Sequence, residues 1–253
     1  MLFFFKRKDV VLDCFTKLPY VYDYAKIDYA TKYIPEWWKN TPKTVEGKGS
    51  RGTIKNCVAF IEYYKRGIVM PSWFEMELTI HELGRADDHW YTYTRSTSDA
   101  DIDSSHTPWQ FANFAGDDGK NIKFQSPWGF KTKDEIYFSV QQPTWNLRPL
   151  LHHVNILPAV VNYKYQHFTH VNMFITNRER EQEFTIKPLT PLLMLHPLTE
   201  RNVVVKTHLV DDKEWNRQFG VYNLMIADNR GYQKKKEVYT TLENQKKCPF
   251  HRN

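Results

Sequence analysis

Ten histidines, three cysteines and twenty-nine acidic residues are the groups in this 253-residue chain that could hold a metal or move a proton. A strand-borne oxygenase triad needs an acid two residues after a histidine, and no histidine here has Asp or Glu at that position. His152 and His153 are adjacent and His167 and His170 are three apart, so on a strand each pair points to opposite faces. His170 and His208 fall on separate predicted strands that could lie side by side, and they are the one pair retained as a metal candidate. Cys248-x-x-His251 is half of a zinc knuckle without its second pair. Asp99-x-Asp101-x-Asp103 copies three ligand positions of a calcium loop, but Ser104 replaces the turn glycine and Gln110 the bidentate acid. The sequence contains no phosphate-cradling glycine loop and no serine nucleophile elbow. Cys14 and Cys57 have no basic neighbour and read as structural thiols. No catalytic residue, metal or cofactor is assigned.

The elements that would position these groups follow from periodicity. Val10 to Phe15 reads as a strand, Tyr20 to Tyr33 as an irregular arm or short helix, and Thr41 to Gly52 as a polar loop. Asn56 is the expected cap of a helix of about three turns carrying Phe60, Ile61 and Tyr64, closed by Gly67 in a left-handed cap. The period then changes to two: strands are expected over Ile68 to Met70, Trp73 to Ile80, Trp90 to Thr94, Ile136 to Val140, Ile156 to Tyr163, Phe168 to Ile175, Phe184 to Ile186, Leu192 to Leu195 and Val203 to Val210. The polar stretch from Arg95 to Gly119 is a functional loop candidate. From Asp212 the pattern is helical again, with Asp211 or Asp212 as cap, and a second helix spans Lys234 to Lys247. The fold class expected is α+β, mainly β: an antiparallel sandwich or jelly roll. Residues 1–54 form an N-terminal arm with short elements, 55–210 a helix plus antiparallel β-domain, and 211–253 a basic helical tail.

Aromatic residues make up 15% of the chain, with eight Trp. Trp37-Trp38, Trp73, Trp109, Trp128 and Trp145 each lie near a proline, a setting that suits either loop anchoring in the core or contact with a partner. Two adjacent rings, Trp37 and Trp38, are not expected to be buried together by one face of a short element. The last fifth of the chain, from Arg201, carries eleven Lys and Arg against six Asp and Glu, hence five of the six net positive charges. Lys234, Lys235 and Lys236 could meet phosphates or an acidic protein surface, though such runs are usually solvated helix faces. The sequence has no apolar run of spanning length and no leader pattern, so no membrane is expected. The odd, scattered cysteines fit a reducing compartment.

Several phrases carry a family likeness: Pro35-Glu36-Trp37-Trp38, Lys55-Asn56-Cys57 leading through Tyr64 to Gly67, Pro71-Ser72-Trp73, Ser126-Pro127-Trp128, and Thr190-Pro191 ahead of His196-Pro197. Together they resemble an uncharacterised protein family of tailed bacteriophages, marine and T4-like. The chain departs from that family at Val58-Ala59, where Pro-Gly often follows the cysteine, and at Leu189-Thr190-Pro191, where Gly-Thr-Pro is usual. The resemblance implies a phage origin and a jelly-roll-like β-domain, and brings no catalytic residue with it. Leu192 to Leu195 is also similar to the closing strand of dUTPase-type β-folds, but the acidic nucleotide motif has no counterpart around Ala159 to Tyr165, so that likeness concerns fold alone.

The function expected is a phage-encoded binding protein, a virion or assembly component in the host cytoplasm or the particle. Its partners would be other viral proteins or further copies of itself, met through Trp37, Trp38, Trp109, Lys234, Lys235 and Lys236. The alternatives are a small-molecule enzyme in the β-domain, oxygenase-like or nucleotide-processing, and a host-directed or nucleic-acid-binding accessory protein acting through the basic tail.

Overall fold

A computed structural model describes residues 8–45, 52–80, 91–95, 103–104, 119–146, 154–176, 182–223 and 231–247. In chain order its first strands are β1 (Val10–Thr16), β2 (Asp28–Tyr29), β3 (Ile68–Pro71), β4 (Met76–Ile80), β5 (Tyr91–Arg95), β6 (Asp103–Ser104), β7 (Gly119–Phe124) and β8 (Gly129–Lys131). There follow β9 (Phe138–Gln141), β10 (Val154–Ile156), β11 (Ala159–Val161), β12 (Val171–Thr176), β13 (Gln182–Ile186), β14 (Pro191–Pro197) and β15 (Val203–Leu209). The helices are α1 (Pro19–Tyr24), α2 (Glu36–Lys39), α3 (Val58–Arg66), α4 (Asp212–Asn223) and α5 (Gly231–Lys247).

Period-two alternation builds β1: Val10, Leu12, Cys14 and Thr16 are buried while Val11 and Asp13 face outward. It is the middle strand of a sheet ordered β15-β1-β8. The other sheets run β10-β12-β7-β6, β11-β9-β14-β3-β2 and β13-β4-β5. The molecule is therefore mixed α and β, mostly β, with several open antiparallel sheets and few helices. One pairing departs from the antiparallel expectation: β1 and β15 run parallel, Asp13 opposite Lys206 and Phe15 opposite His208. Parallel neighbours need a long connection, and here nearly the whole chain lies between them.

The main core gathers residues from both ends of the sequence, Val10, Leu12 and Val203 beside Trp73, Trp128, Phe130, Phe138 and Tyr163. Strand β14 is apolar on both faces because it is covered twice. Leu193 and Leu195 enter the main core, and Met194 enters a second cluster with Phe60, Tyr64, Val69 and Ala30 beneath α3.

Several local expectations are corrected. Helix α3 is capped at Cys57, with Asn56 in a preceding 3-10 turn whose cap is the Thr53 hydroxyl. Gly67 is extended, not left-handed; it is glycine because a Cβ would stand 2.7 Å from Met194 Sδ and 2.8 Å from Ala30 Cβ. The single strand expected from Ile156 to Tyr163 is two, since Pro158 has no N–H to give a ladder: β10 pairs with β12, and β11 with β9 in another sheet. Strands β7 and β8 had no sequence expectation, being short, glycine-containing and rich in polar residues. The Asp211 carboxylate caps α4 by accepting from Glu214 N–H at 2.7 Å, as expected.

Candidate functional site

Pro35 presets the turn that begins α2, and this single turn presents Trp37 and Trp38 to the buried Phe60 side of α3. Both rings settle on one side chain, Phe60. Trp38 stacks on it with centroids 5.1 Å apart and planes 9° from parallel, and Trp37 meets it edge-on at 5.9 Å. Phe60 offers one ring its face and the other its edge, and in keeping with the expectation that one short element would not bury both rings, each Trp is left half-buried. Trp145, in the turn after β9, tilts against Trp37 at 5.9 Å and contacts Phe60 at 5.3 Å.

Polar ties hold this group in place. Trp37 Nε1 donates to the Trp145 carbonyl at 3.2 Å. The Tyr64 hydroxyl donates to Asn146 Oδ1 at 2.8 Å, and Asn146 Nδ2 donates to the Tyr33 carbonyl at 2.6 Å. Lys55 lies 4.0 Å over the Trp38 ring and donates to the Trp38 and Lys39 carbonyls at 3.0 and 2.8 Å. Burial pushes the Tyr63 hydroxyl up to about 12 and the Tyr64 hydroxyl higher still, so both remain protonated donors. Beside Tyr63, His196 accepts from Gln141 at Nδ1 and donates from Nε2 to the Tyr63 carbonyl at 2.8 Å, and burial lowers its basicity. Trp145 remains 40% exposed above this scaffold.

A second aromatic group joins the sheet β15-β1-β8 to α4. His208 stacks on Phe15 at 4.7 Å and donates from Nε2 to Asp13 Oδ1 at 2.8 Å. Phe219 of α4 touches Phe15, Phe168 and Trp215. His170 lies beyond Phe168, where its Nδ1 accepts from Ser126 N–H. This corrects the expected pairing of His170 with His208 across neighbouring strands: His208 lies in β15, His170 precedes β12 outside any strand, and the rings of Phe15, Phe219 and Phe168 stand between them. Among the described residues no group of three His, Cys, Asp or Glu side chains comes together.

The third group docks α5. His167, buried before β12, donates from Nδ1 to the Phe130 carbonyl at 3.0 Å and accepts at Nε2 from the Tyr239 hydroxyl at 2.6 Å. Lys236 pairs with Glu135 at 2.9 Å, and the Tyr165 hydroxyl donates to the same carboxylate.

Of the residues expected to bind partners, Trp37 and Trp38 form the platform. Lys236 is tied to Glu135, Lys235 is half-buried near His167, and Lys234 is exposed. Trp109 lies outside the described residues, as do His152, His153 and the Cys248-His251 pair, while Asp103 sits in β6. Trp73 and Trp128 are core anchors. Cys14 is buried with its thiol pushed up by desolvation, which keeps it protonated and inert. Sequence reasoning missed Tyr239 and Asp13; partners 72 and 195 residues away leave no local signal. No protein-family model, curated protein or solved structure matches the chain.

Proposed function

We propose that this chain is a non-enzymatic binding protein that works through protein–protein contacts at the Trp37–Trp145 surface, as a virion or assembly component of a tailed phage. The observation that carries this reading is the half-exposed pair of indoles held by backbone and side-chain hydrogen bonds on Phe60. Binding energy concentrates in aromatic anchors, and anchors fixed before contact lose little entropy on binding. The phage assignment rests on the likeness of Pro35-Glu36-Trp37-Trp38 and the associated phrases, the first of which contains Trp37 and Trp38. A jelly-roll-like arrangement, acting in the host cytoplasm or the particle, belongs to the same proposal. Its support is the non-sequential antiparallel order of the five-stranded sheet, with the parallel β1–β15 pair as a departure. Among the described residues no helix is long and apolar enough to cross a membrane.

A second reading, an enzyme, rests on the part-exposed Asp13–His208 pair, which belongs to no group of three potential metal ligands among the described residues. The tail-mediated nucleic-acid reading is weakened by the engagement of Lys236 with Glu135.

The test is co-purification with assembled particles, together with sedimentation of the isolated chain. Trp145→Ala is expected to keep the native circular dichroism and to weaken incorporation or self-association about thirtyfold, the usual effect of removing a hot-spot aromatic. Wild-type chain absent from particles and monomeric throughout, or full binding by Trp145→Ala, would overturn the reading. A dead His208→Ala variant beside an active Trp145→Ala variant would favour the enzyme.

A further inference from the structure

Helix α5 is polar along most of its length, and the apolar stripe it turns to the β-domain is narrow among the described side chains. Val238 and Tyr239 are half-buried and Leu242 is exposed, while Gln233, Lys234, Lys236, Glu237, Thr240 and Thr241 face solvent. The contact centres on one hydrogen bond between a tail hydroxyl and a buried imidazole, Tyr239 to His167, with the two rings edge-to-face at 5.1 Å and 89°. Because His167 Nδ1 donates to the Phe130 carbonyl, Nε2 carries no proton and accepts from Tyr239. A second tie, Lys236 with Glu135, lies at the rim beside Tyr165.

We propose that α5 is an acid-released latch: it stays docked while His167 is neutral, and protonation of His167 frees the helix and uncovers Tyr165 and His167. The surroundings of the imidazole set this direction. From β8 it faces Lys131, which donates to Gln218 of α4 at 3.0 Å, and from α5 it faces Lys235, half-buried itself. Helix α4 contributes the apolar ring of Phe219 at 5.6 Å. The turn before β12 contributes the Tyr163 carbonyl, with Lys164 and Tyr165 alongside. Glu135 is bonded to Lys236 and Tyr165, and among the described residues no carboxylate is bonded to His167. A protonated ring in the docked state would thus be a buried cation facing cations, with a hydroxyl that must turn to accept. Undocking hydrates the ring and takes Lys235 away.

Desolvation, then Lys131, hold His167 down at about 4 while docked. A group whose protonation is suppressed in the docked state favours docking above its free value near 6.5 and loses that contribution as pH falls toward 4. With these two values the docking constant drops roughly sixtyfold between about pH 7 and about pH 4.5.

Hydrogen exchange on the full-length chain, corrected for intrinsic rates, tests this. Amides of residues 231–247 are expected to lose protection by tens-fold over that interval while β14 keeps its own, and His167→Gln is expected to abolish the pH dependence. A second measurement covers the case in which His167→Gln does not dock. NMR titration of the His167 ring in Tyr239→Ala should give a midpoint displaced from about 4 toward 6.5. Unchanged α5 protection down to about pH 4.5 in the wild type, the same loss in His167→Gln, or an unmoved midpoint in Tyr239→Ala would overturn the latch.

Discussion

Gly129 lies directly beneath the ring of Phe219: a Cβ on residue 129 would come within 2.5 Å of the ring Cζ and 2.6 Å of Cε2. The three-residue strand β8 therefore has a missing side chain at the spot where α4 inserts the buried ring of Phe219. Since Phe219 also touches Phe15, His167, Phe168 and Trp215, this one gap seats a helix on a sheet.

Gly129→Ala is accordingly expected to destabilise the protein by about 1–3 kcal/mol, the usual cost of forcing extra volume into a packed contact. Urea unfolding measures the loss, and a red shift of Trp215 emission reports the lifting of α4. A smaller residue at 219 should recover part of the loss, so the double variant Gly129→Ala with Phe219→Leu is expected to be less destabilised than the sum of its parts. Additive losses would place the damage elsewhere.

Lys55 ties the indole platform to the 3-10 turn ahead of α3 through two carbonyls and the face of Trp38. Lys55→Met keeps the stem and removes the charge, and the expected cost is about 1–2 kcal/mol from two hydrogen bonds and one cation–π contact. Lys39→Met removes only a surface pair with Glu36, so its expected effect is below about 0.5 kcal/mol. Chemical denaturation of the two variants side by side checks the contrast, and equal losses would contradict it.

His196 is held neutral by burial, its Nδ1 accepting from Gln141 and its Nε2 donating to the Tyr63 carbonyl. Burial lowers its affinity for a proton, so the folded state binds fewer protons than the unfolded chain. The stability it contributes is complete above the unfolded value of about 6.5 and is lost as pH falls below it. His196→Gln is expected to cost stability at pH 7 and to flatten the decline between about pH 7 and pH 5, read from urea midpoints at both values. A variant curve parallel to the wild type would mean that His196 does not titrate on unfolding.

The sequence by itself determined the elements whose signal is local. Val10 to Phe15 alternates in period two and is a strand; Phe60 and Tyr64 share a helical stripe and are buried together; Asp211 caps the helix it precedes. It also determined the balance of strand over helix and singled out Trp37 and Trp38, because proline and paired indoles are visible without a partner. Only the tertiary structure decided how distant segments meet. That β1 runs parallel to β15, that Phe60 can hold two neighbouring indoles, that Gly67 is small for Met194 and Gly129 for Phe219, and that Tyr239 closes over His167 are all contacts between residues far apart in the chain. Hydrophobic burial is proportional to area and has no direction along the sequence. Periodicity therefore shows which face of an element must be covered, while the covering residue is selected by shape and hydrogen-bond geometry once the elements have assembled.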